Sequence, residues 1–527
     1  MAYLSQLRVT QDNGDTVAVP GTSEGHLEVA IHGPRLPFGS VHTENMLPIF
    51  QSDPVYGINT SEEIATTSLS GTATGTGNLF RCATGTTTAA FASIQSRKRL
   101  RYRPGQGVIV RFTGIFDATV SNSIVVAGCG SGEDGFFFGY YNIAALPGNS
   151  TEFGILWSRG GKRQINTLTV TTKSSSTDNI QITLNTVAFT VTGITNGAST
   201  TQTAYEISKG TFAGWTAQQR GATVVFLSND VGVKAGTYSI GQTGAGTPAA
   251  GSYATTLTGV VSTDTFIPQS TWNGDKLDGT GASGVTINPQ YGNVYQIDIQ
   301  YLGFGSIVFK VEAGVSPNNP DYTVVHTIEV PNSRTTTTVL QPSFPFTMAA
   351  YSAGSTTDVG VSVGSFAGFI EGQKKLTGPR MTYFVTAAVT SSTSVYIPLF
   401  TVRNDTTYVT RANQAVVNLL SVSGSSKSNT GQTAFFLIRN ATLSAGVPNF
   451  TAWATTSCTY VDTAATACTF ATNDQVIWST STTGDGQFAF SFSDDVTLQP
   501  GETITFAVRS VTATATCIGQ INTREDQ

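Results

Sequence analysis

Val108-Ile-Val-Arg-Phe-Thr-Gly-Ile-Phe116 decides the fold class. Every second residue except Gly114 is large and apolar, the period of a strand with one face in a core. The same two-residue alternation returns in Asn293-Val-Tyr-Gln-Ile-Asp-Ile-Gln-Tyr-Leu302, Ser306-Ile-Val-Phe-Lys-Val-Glu312, Thr323-Val-Val-His-Thr-Ile-Glu-Val330 and Thr503-Ile-Thr-Phe-Ala-Val-Arg509. Each run is rich in Val, Ile, Thr, Phe and Tyr and is bounded by Gly, Pro, Asn or Asp. Strands at this spacing predict an all-β chain of tandem antiparallel sandwiches or jelly rolls. One helix is expected, at Thr201-Gln-Thr-Ala-Tyr-Glu-Ile-Ser-Lys209.

Composition supports that reading and removes several function classes. Of the 527 residues, 12% are charged, against roughly 25% in an average soluble domain. The 39% hydrophobic and 10% aromatic content is enough for several cores and argues against disorder. A net charge of −5 gives no general footprint for nucleic acid. No apolar run reaches the ~18 residues of a membrane helix. The start, Met1-Ala-Tyr-Leu-Ser-Gln-Leu-Arg, lacks the basic and apolar regions of a secretory signal, although the Thr/Ser/Gly-rich body resembles proteins that work outside cells. Cys82, Cys129, Cys458, Cys468 and Cys517 form no CxxC pair. They are expected as buried free thiols, with a Cys458–Cys468 bridge as the alternative.

Shifts in the pattern divide the chain. Residues 1–60 hold His26, His32, His42 and several prolines with little alternation, and read as an extended arm or anchor. Residues 61–164 and 261–376 read as one β-sandwich of the jelly-roll or lectin-like kind, with 61–95 pairing as edge strands. The block 165–260 reads as a small α+β domain inserted in a sandwich loop, because exposed loops tolerate insertions. After the polar break at 371–380, residues 377–527 supply a second sandwich.

Sites of chemistry are sparse. There is no HExxH, GxSxG elbow or phosphate loop, and no cofactor or metal is expected. Glycoside hydrolysis needs two carboxyl groups facing across a cleft. The acids of the first sandwich are Glu133, Asp134, Asp264, Asp275, Asp278, Asp298 and Glu312, and their spacing carries no hydrolase signature. Glu133-Asp134-Gly135 reads instead as a hairpin turn feeding Phe136-Phe-Phe-Gly-Tyr-Tyr141. The one basic cluster, Arg97-Lys-Arg-Leu-Arg-Tyr-Arg103, puts Arg97, Arg99, Arg101 and Arg103 on one strand face. These four are expected at a subunit interface, paired with carboxylates of a neighbouring subunit. Trp272, Asp275 and Tyr291 are the candidate glycan contacts, since an aromatic face packs on a sugar's C–H surface; Trp453 and Trp478 are further aromatic candidates. The competing role for each Trp is in a sandwich core.

Several segments carry a resemblance: Arg101-Tyr-Arg-Pro-Gly-Gln-Gly-Val108, Glu133-Asp-Gly-Phe-Phe-Phe-Gly-Tyr140, Pro268-Gln-Ser-Thr-Trp-Asn-Gly-Asp-Lys-Leu-Asp-Gly279, and Gln300-Tyr-Leu-Gly-Phe-Gly-Ser-Ile-Val-Phe-Lys-Val-Glu312. Together they resemble a family of virion proteins of tailed phages and large DNA viruses, often described as fibre-like, over about 97–376. The resemblance implies a surface β-sandwich of a virus particle and carries no functional residues with it. The expected function is a non-enzymatic structural protein of the virion, a fibre, spike or decoration subunit contributing to host attachment. The alternatives are a capsid or tail assembly protein without a receptor role, and a glycan-degrading depolymerase. The expected partners are further copies of the chain in a homotrimer, other virion proteins through residues 1–60, and a host surface glycan or protein. Neither nucleic acid nor membrane insertion is expected.

Overall fold

The computed structural model describes residues 8–10, 16–18, 46–144, 148–174, 179–192, 199–243, 248–313, 322–372, 378–427, 431–493 and 496–526. The chain is all-β, and every described strand pair is antiparallel. Among these residues the one α-helix is Thr200–Ser208, and no helix is long and apolar enough to cross a membrane.

The first sandwich is built from a seven-stranded and a nine-stranded sheet. Val108–Phe116 is central to the larger one. Val108, Val110, Phe112 and Phe116 point into the shared core, as the alternation requires. The facing sheet contributes Phe136 and Phe138 from Gly135–Asn142, and Phe138 lies 4.8 Å from Tyr295 of the larger sheet, ring centre to ring centre. Ser131–Asp134 closes the hairpin before that strand, with the Ser131 amide donating to the Asp134 carbonyl. Glu63–Ser68 and Thr72–Thr76 are the outermost strands of the two sheets.

One boundary changes. Met46–Ser52 is not arm but strand: it pairs with Phe366–Glu371 in the nine-stranded sheet and buries Phe50 in the core. Its apolar residues are spaced irregularly around Pro48, and the register shifts between Gly368 and Phe369 to accommodate them. The expected arm otherwise falls mostly outside the described residues, His26, His32 and His42 included.

Between the sandwich strands Gly154–Arg159 and Thr263–Pro268 lie a four-stranded and a three-stranded sheet with a core of their own. Ser199 caps the helix, its side chain accepting from the Gln202 amide at 3.1 Å. Ala204 and Ile207 then face that core, while Tyr205 points the other way and donates to the Leu443 carbonyl of the C-terminal part.

Residues 380–526 form two six-stranded sheets over a third core, with Tyr383, Leu419, Val422 and Ile521 of one sheet facing Val402, Phe435, Leu437 and Phe506 of the other. All five cysteines are free and buried; Cys458 and Cys468 belong to different clusters, so no bridge joins them.

Candidate functional site

Alternation that buries Val110 and Phe112 also turns Arg111 outward. Its cross-strand neighbours are Gln296 and Ala367. Arg111 Nε donates to Gln296 Oε1 at 2.6 Å, Gln296 Nε2 donates to Asp298 Oδ1 at 2.6 Å, and Asp298 is paired with Lys310 at 2.5 Å. This relay along the sheet fixes the guanidinium. It lies 5.1 Å from the ring centre of Tyr322 and 5.8 Å from that of Phe369, within the range of a cation–π contact. Among the described residues its Nη atoms have no hydrogen-bond partner.

An open cleft of about 530 Å3 surrounds this group. Its far wall is polar, formed by Gln51, Ser52 and Asp53 at the end of the strand Met46–Ser52, with Thr113 and Ser365 beside them. Burial raises the Tyr322 hydroxyl pKa, so the ring stays neutral and its hydroxyl is kept as a donor. The arrangement offers a planar two-donor fork, aromatic faces on either side and several hydroxyl and amide groups within one cleft. That set can hold a planar anionic group on a polyhydroxylated ligand.

The residues singled out from the sequence lie elsewhere. Trp272 is 2% exposed and belongs to the first core, edge-on to Phe138 and Phe153, so it is not a stacking platform. Its flanking loop is short and turns it inward, its indole N–H donating to the Ile267 carbonyl. The Asp275 carboxylate is committed to its own loop, accepting from the amides of Leu277 and Ser283, and these bonds lower its pKa against a desolvation that would raise it. Tyr291 is 72% exposed, and its carbonyl accepts from Asn293. The structure does not gather these three into one site. Trp453 packs on Tyr383 and Phe384. Trp478 lies against Phe488, Phe490 and Phe492 at the outer edges of the two C-terminal sheets.

The arginine strand has partners, but in the same chain rather than in a neighbouring subunit. Arg97 pairs with Glu502 at 2.8 Å, Arg103 with Asp526 at 2.9 Å, and Arg101 with the Asp526 carboxylate and backbone carbonyl. These bonds dock the first sandwich on the C-terminal one. Among the described residues Arg99 has no such partner: burial pushes its pKa down, the nearby Arg163 charge adds to this, and the Glu133 charge opposes it. Carboxylates some 400 residues away are invisible to local pattern reading, which explains the misassignment.

The acids of the first sandwich are likewise occupied, except Glu312, which is exposed at the end of its strand. Glu133 is paired with Arg163, Asp134 accepts from the amides of Gly160, Leu340 and Gln341, and Asp264 accepts from Tyr141. Asp298 is paired with Lys310, and Asp278 caps its own turn through Thr280. Among the described residues no three His, Cys, Asp or Glu side chains come together as a metal-ligand set. Sequence reasoning missed Arg111. Its signal was in the deciding strand itself: a single charge in an otherwise apolar and Thr/Gly run.

No protein-family model matches the chain, and no curated protein does. Solved structures similar to it include a lectin from Bauhinia forficata in complex with GalNAc, at 8% identity and a TM-score of 0.23, covering 62% of this chain and 98% of that one. The lectin UEA-II complexed with galactose is 8% identical with a TM-score of 0.22, covering 62% and 99%. A Lotus tetragonolobus seed lectin is 10% identical with a TM-score of 0.21, covering 62% and 100%. Likeness of this degree carries no argument about ligand.

Proposed function

We propose that the protein is a surface component of a virus particle, of the fibre, spike or decoration kind, and that it contributes to host attachment by holding an acidic glycan in the Arg111 cleft. The observation that carries the ligand is the Arg111 guanidinium, fixed by Gln296 and flanked by Tyr322 and Phe369 in an open cleft whose opposite wall is the Gln51 amide, the Ser52 hydroxyl and the Asp53 carboxylate. A sugar bearing a carboxylate uses the guanidinium, the aromatic faces and the polar side chains at once. The particle location rests on the sequence resemblance over about 97–376, and anchoring is assigned to the N-terminal residues ahead of Met46.

Self-association as a homotrimer belongs to the same reading. It is supported by the strands Val476–Thr483 and Gly486–Ser491, the outermost of their respective sheets, between which the aromatic group of Trp478 and Phe490 reaches the surface. Light scattering of the full-length protein, with glycan-array and whole-cell binding on the same sample, tests both halves. A trimer that binds acidic but not neutral glycans, and loses them with Arg111→Ala, is the expected result. A monomer that binds neither glycans nor cells overturns the attachment role and favours a capsid or tail assembly component.

A further inference from the structure

Arg111, Ala367 and Gln51 stand in register on three adjacent strands, Val108–Phe116, Phe366–Glu371 and Met46–Ser52. All three face away from the core, which takes their chain neighbours Phe112, Phe366 and Phe50. Arg111 and Gln51 are therefore two strand spacings apart, roughly 10 Å, with only the Ala367 methyl group between them. That gap is the floor of the cleft, and Asp53, two residues past Gln51, lines its far side.

The two walls have opposite hydrogen-bonding character. On the near side the Arg111 Nη atoms and the Tyr322 hydroxyl have no partner among the described residues and are left to donate. Across the cleft, the Ser52 hydroxyl gives its proton to Glu63 Oε1 and keeps only lone pairs for a ligand. Asp53 Oδ1 accepts from the Val55 amide at 3.1 Å, which fixes the carboxylate in its turn. Among the described residues Asp53 Oδ2 has no donor, and no cation pairs with this acid. A ligand with an anion alone would meet the Asp53 charge as well as that of Arg111, and facing like charges oppose binding. A ligand that carries a cation opposite its anion satisfies both walls.

We propose, resting on the acidic-glycan reading of this cleft, that its ligand is zwitterionic: a sugar carboxylate meets Arg111 while a free, protonated amino group on the same or the next sugar meets Asp53. The carboxylate accepts from the guanidinium fork, and the ammonium donates to Asp53 Oδ2 and Ser52 Oγ. Asp53 is then the residue that sets specificity, disfavouring the N-acetylated glycans that Arg111 alone would take.

Titration calorimetry of the full-length protein in mildly acidic buffer, where a sugar amine is protonated, tests this with three oligosaccharides. One alternates glucuronate and glucosamine, the second is the same chain N-acetylated, and the third is a glucosamine oligomer without carboxylates. The first should bind about tenfold tighter than the second, the scale of one charge-assisted hydrogen bond, and tighter than the third. Asp53 is exposed, and Asp53→Asn keeps an acceptor for the Val55 amide, so this variant should fold. It should abolish the preference for the free amine and bind the N-acetylated chain at least as tightly as the parent does, whereas Arg111→Ala should weaken both. If Arg111 binds the N-acetylated chain with no gain from the free amine, or the gain survives Asp53→Asn, the zwitterion is overturned and the acidic-glycan reading stands. If none of the three binds, or binding ignores Arg111→Ala, both are overturned.

Discussion

Arg103 Nη2 donates to both carboxylate oxygens of Asp526, at 2.9 and 3.0 Å, across 423 residues of sequence. Arg101 reaches the same residue through its backbone carbonyl, so one aspartate near the chain's end receives two arginines of the first sandwich. Both side chains of the Arg103–Asp526 pair are largely buried, at 15% and 12% exposure, which separates it from a screened surface ion pair. Asp526→Asn should cost about 2 kcal/mol, the scale of a charge-assisted hydrogen bond. Thermal unfolding read by calorimetry should show a lower Tm; an unchanged transition would mean that the pair holds nothing together.

Arg111 is the residue on which glycan affinity is expected to turn. Arg111→Ala should weaken binding of a carboxylate-bearing glycan at least tenfold, since a charge-assisted hydrogen bond is worth roughly 1.5–3 kcal/mol. Tyr322→Ala removes one ring face and should weaken it by less. Titration calorimetry with an acidic oligosaccharide and its neutral counterpart checks this. Equal affinity for the two sugars would refute the role of the guanidinium.

Stability should fall as pH rises through the Asp134 titration. Burial pushes this carboxyl up to about 6 from 3.8, outweighing the amides of Gly160, Leu340 and Gln341 that favour its charged form. The folded chain then holds the proton more tightly than the unfolded chain. The resulting stabilisation is complete below the unfolded value of 3.8 and is lost as pH climbs through about 6. Denaturation midpoints across that window should show the slope in the parent and a flatter curve in Asp134→Asn. An identical slope in both would assign it to other groups.

Gly139 should not tolerate a side chain. Its φ is +151°, and a Cβ there would lie 2.0 Å from the Val125 carbonyl oxygen of the adjacent strand. Gly139→Ala therefore forces apart Ser123–Gly130 and Gly135–Asn142, at an expected cost of about 3 kcal/mol or more. Soluble yield and Tm report it; a variant with the parent's Tm would contradict the close approach.

How much of this was legible in the sequence depends on the range of the interaction involved. Val108–Phe116 declared its strand, its buried face and its outward Arg111 through spacing alone, because a strand's period is set by the backbone. The helix at Thr200–Ser208 was legible for the same reason, with Ser199 at hand to cap it. The Ser131–Asp134 hairpin followed from a turn sequence beside an aromatic strand. Met46–Ser52 was not legible, since Pro48 and a register shift break the alternation that marks its neighbours.

What each outward side chain meets was decided only by the tertiary structure. Alternation separates Arg97, Arg99, Arg101 and Arg103 from Leu100 and Tyr102, but it says nothing of Glu502 and Asp526 four hundred residues on. Alternation likewise turns Arg111 out, while Tyr322 and Phe369 reach it only when three distant segments share one sheet. Spacing is a local property fixed by backbone geometry; charge pairing and cleft formation depend on which strands become neighbours, and that is settled by packing the cores.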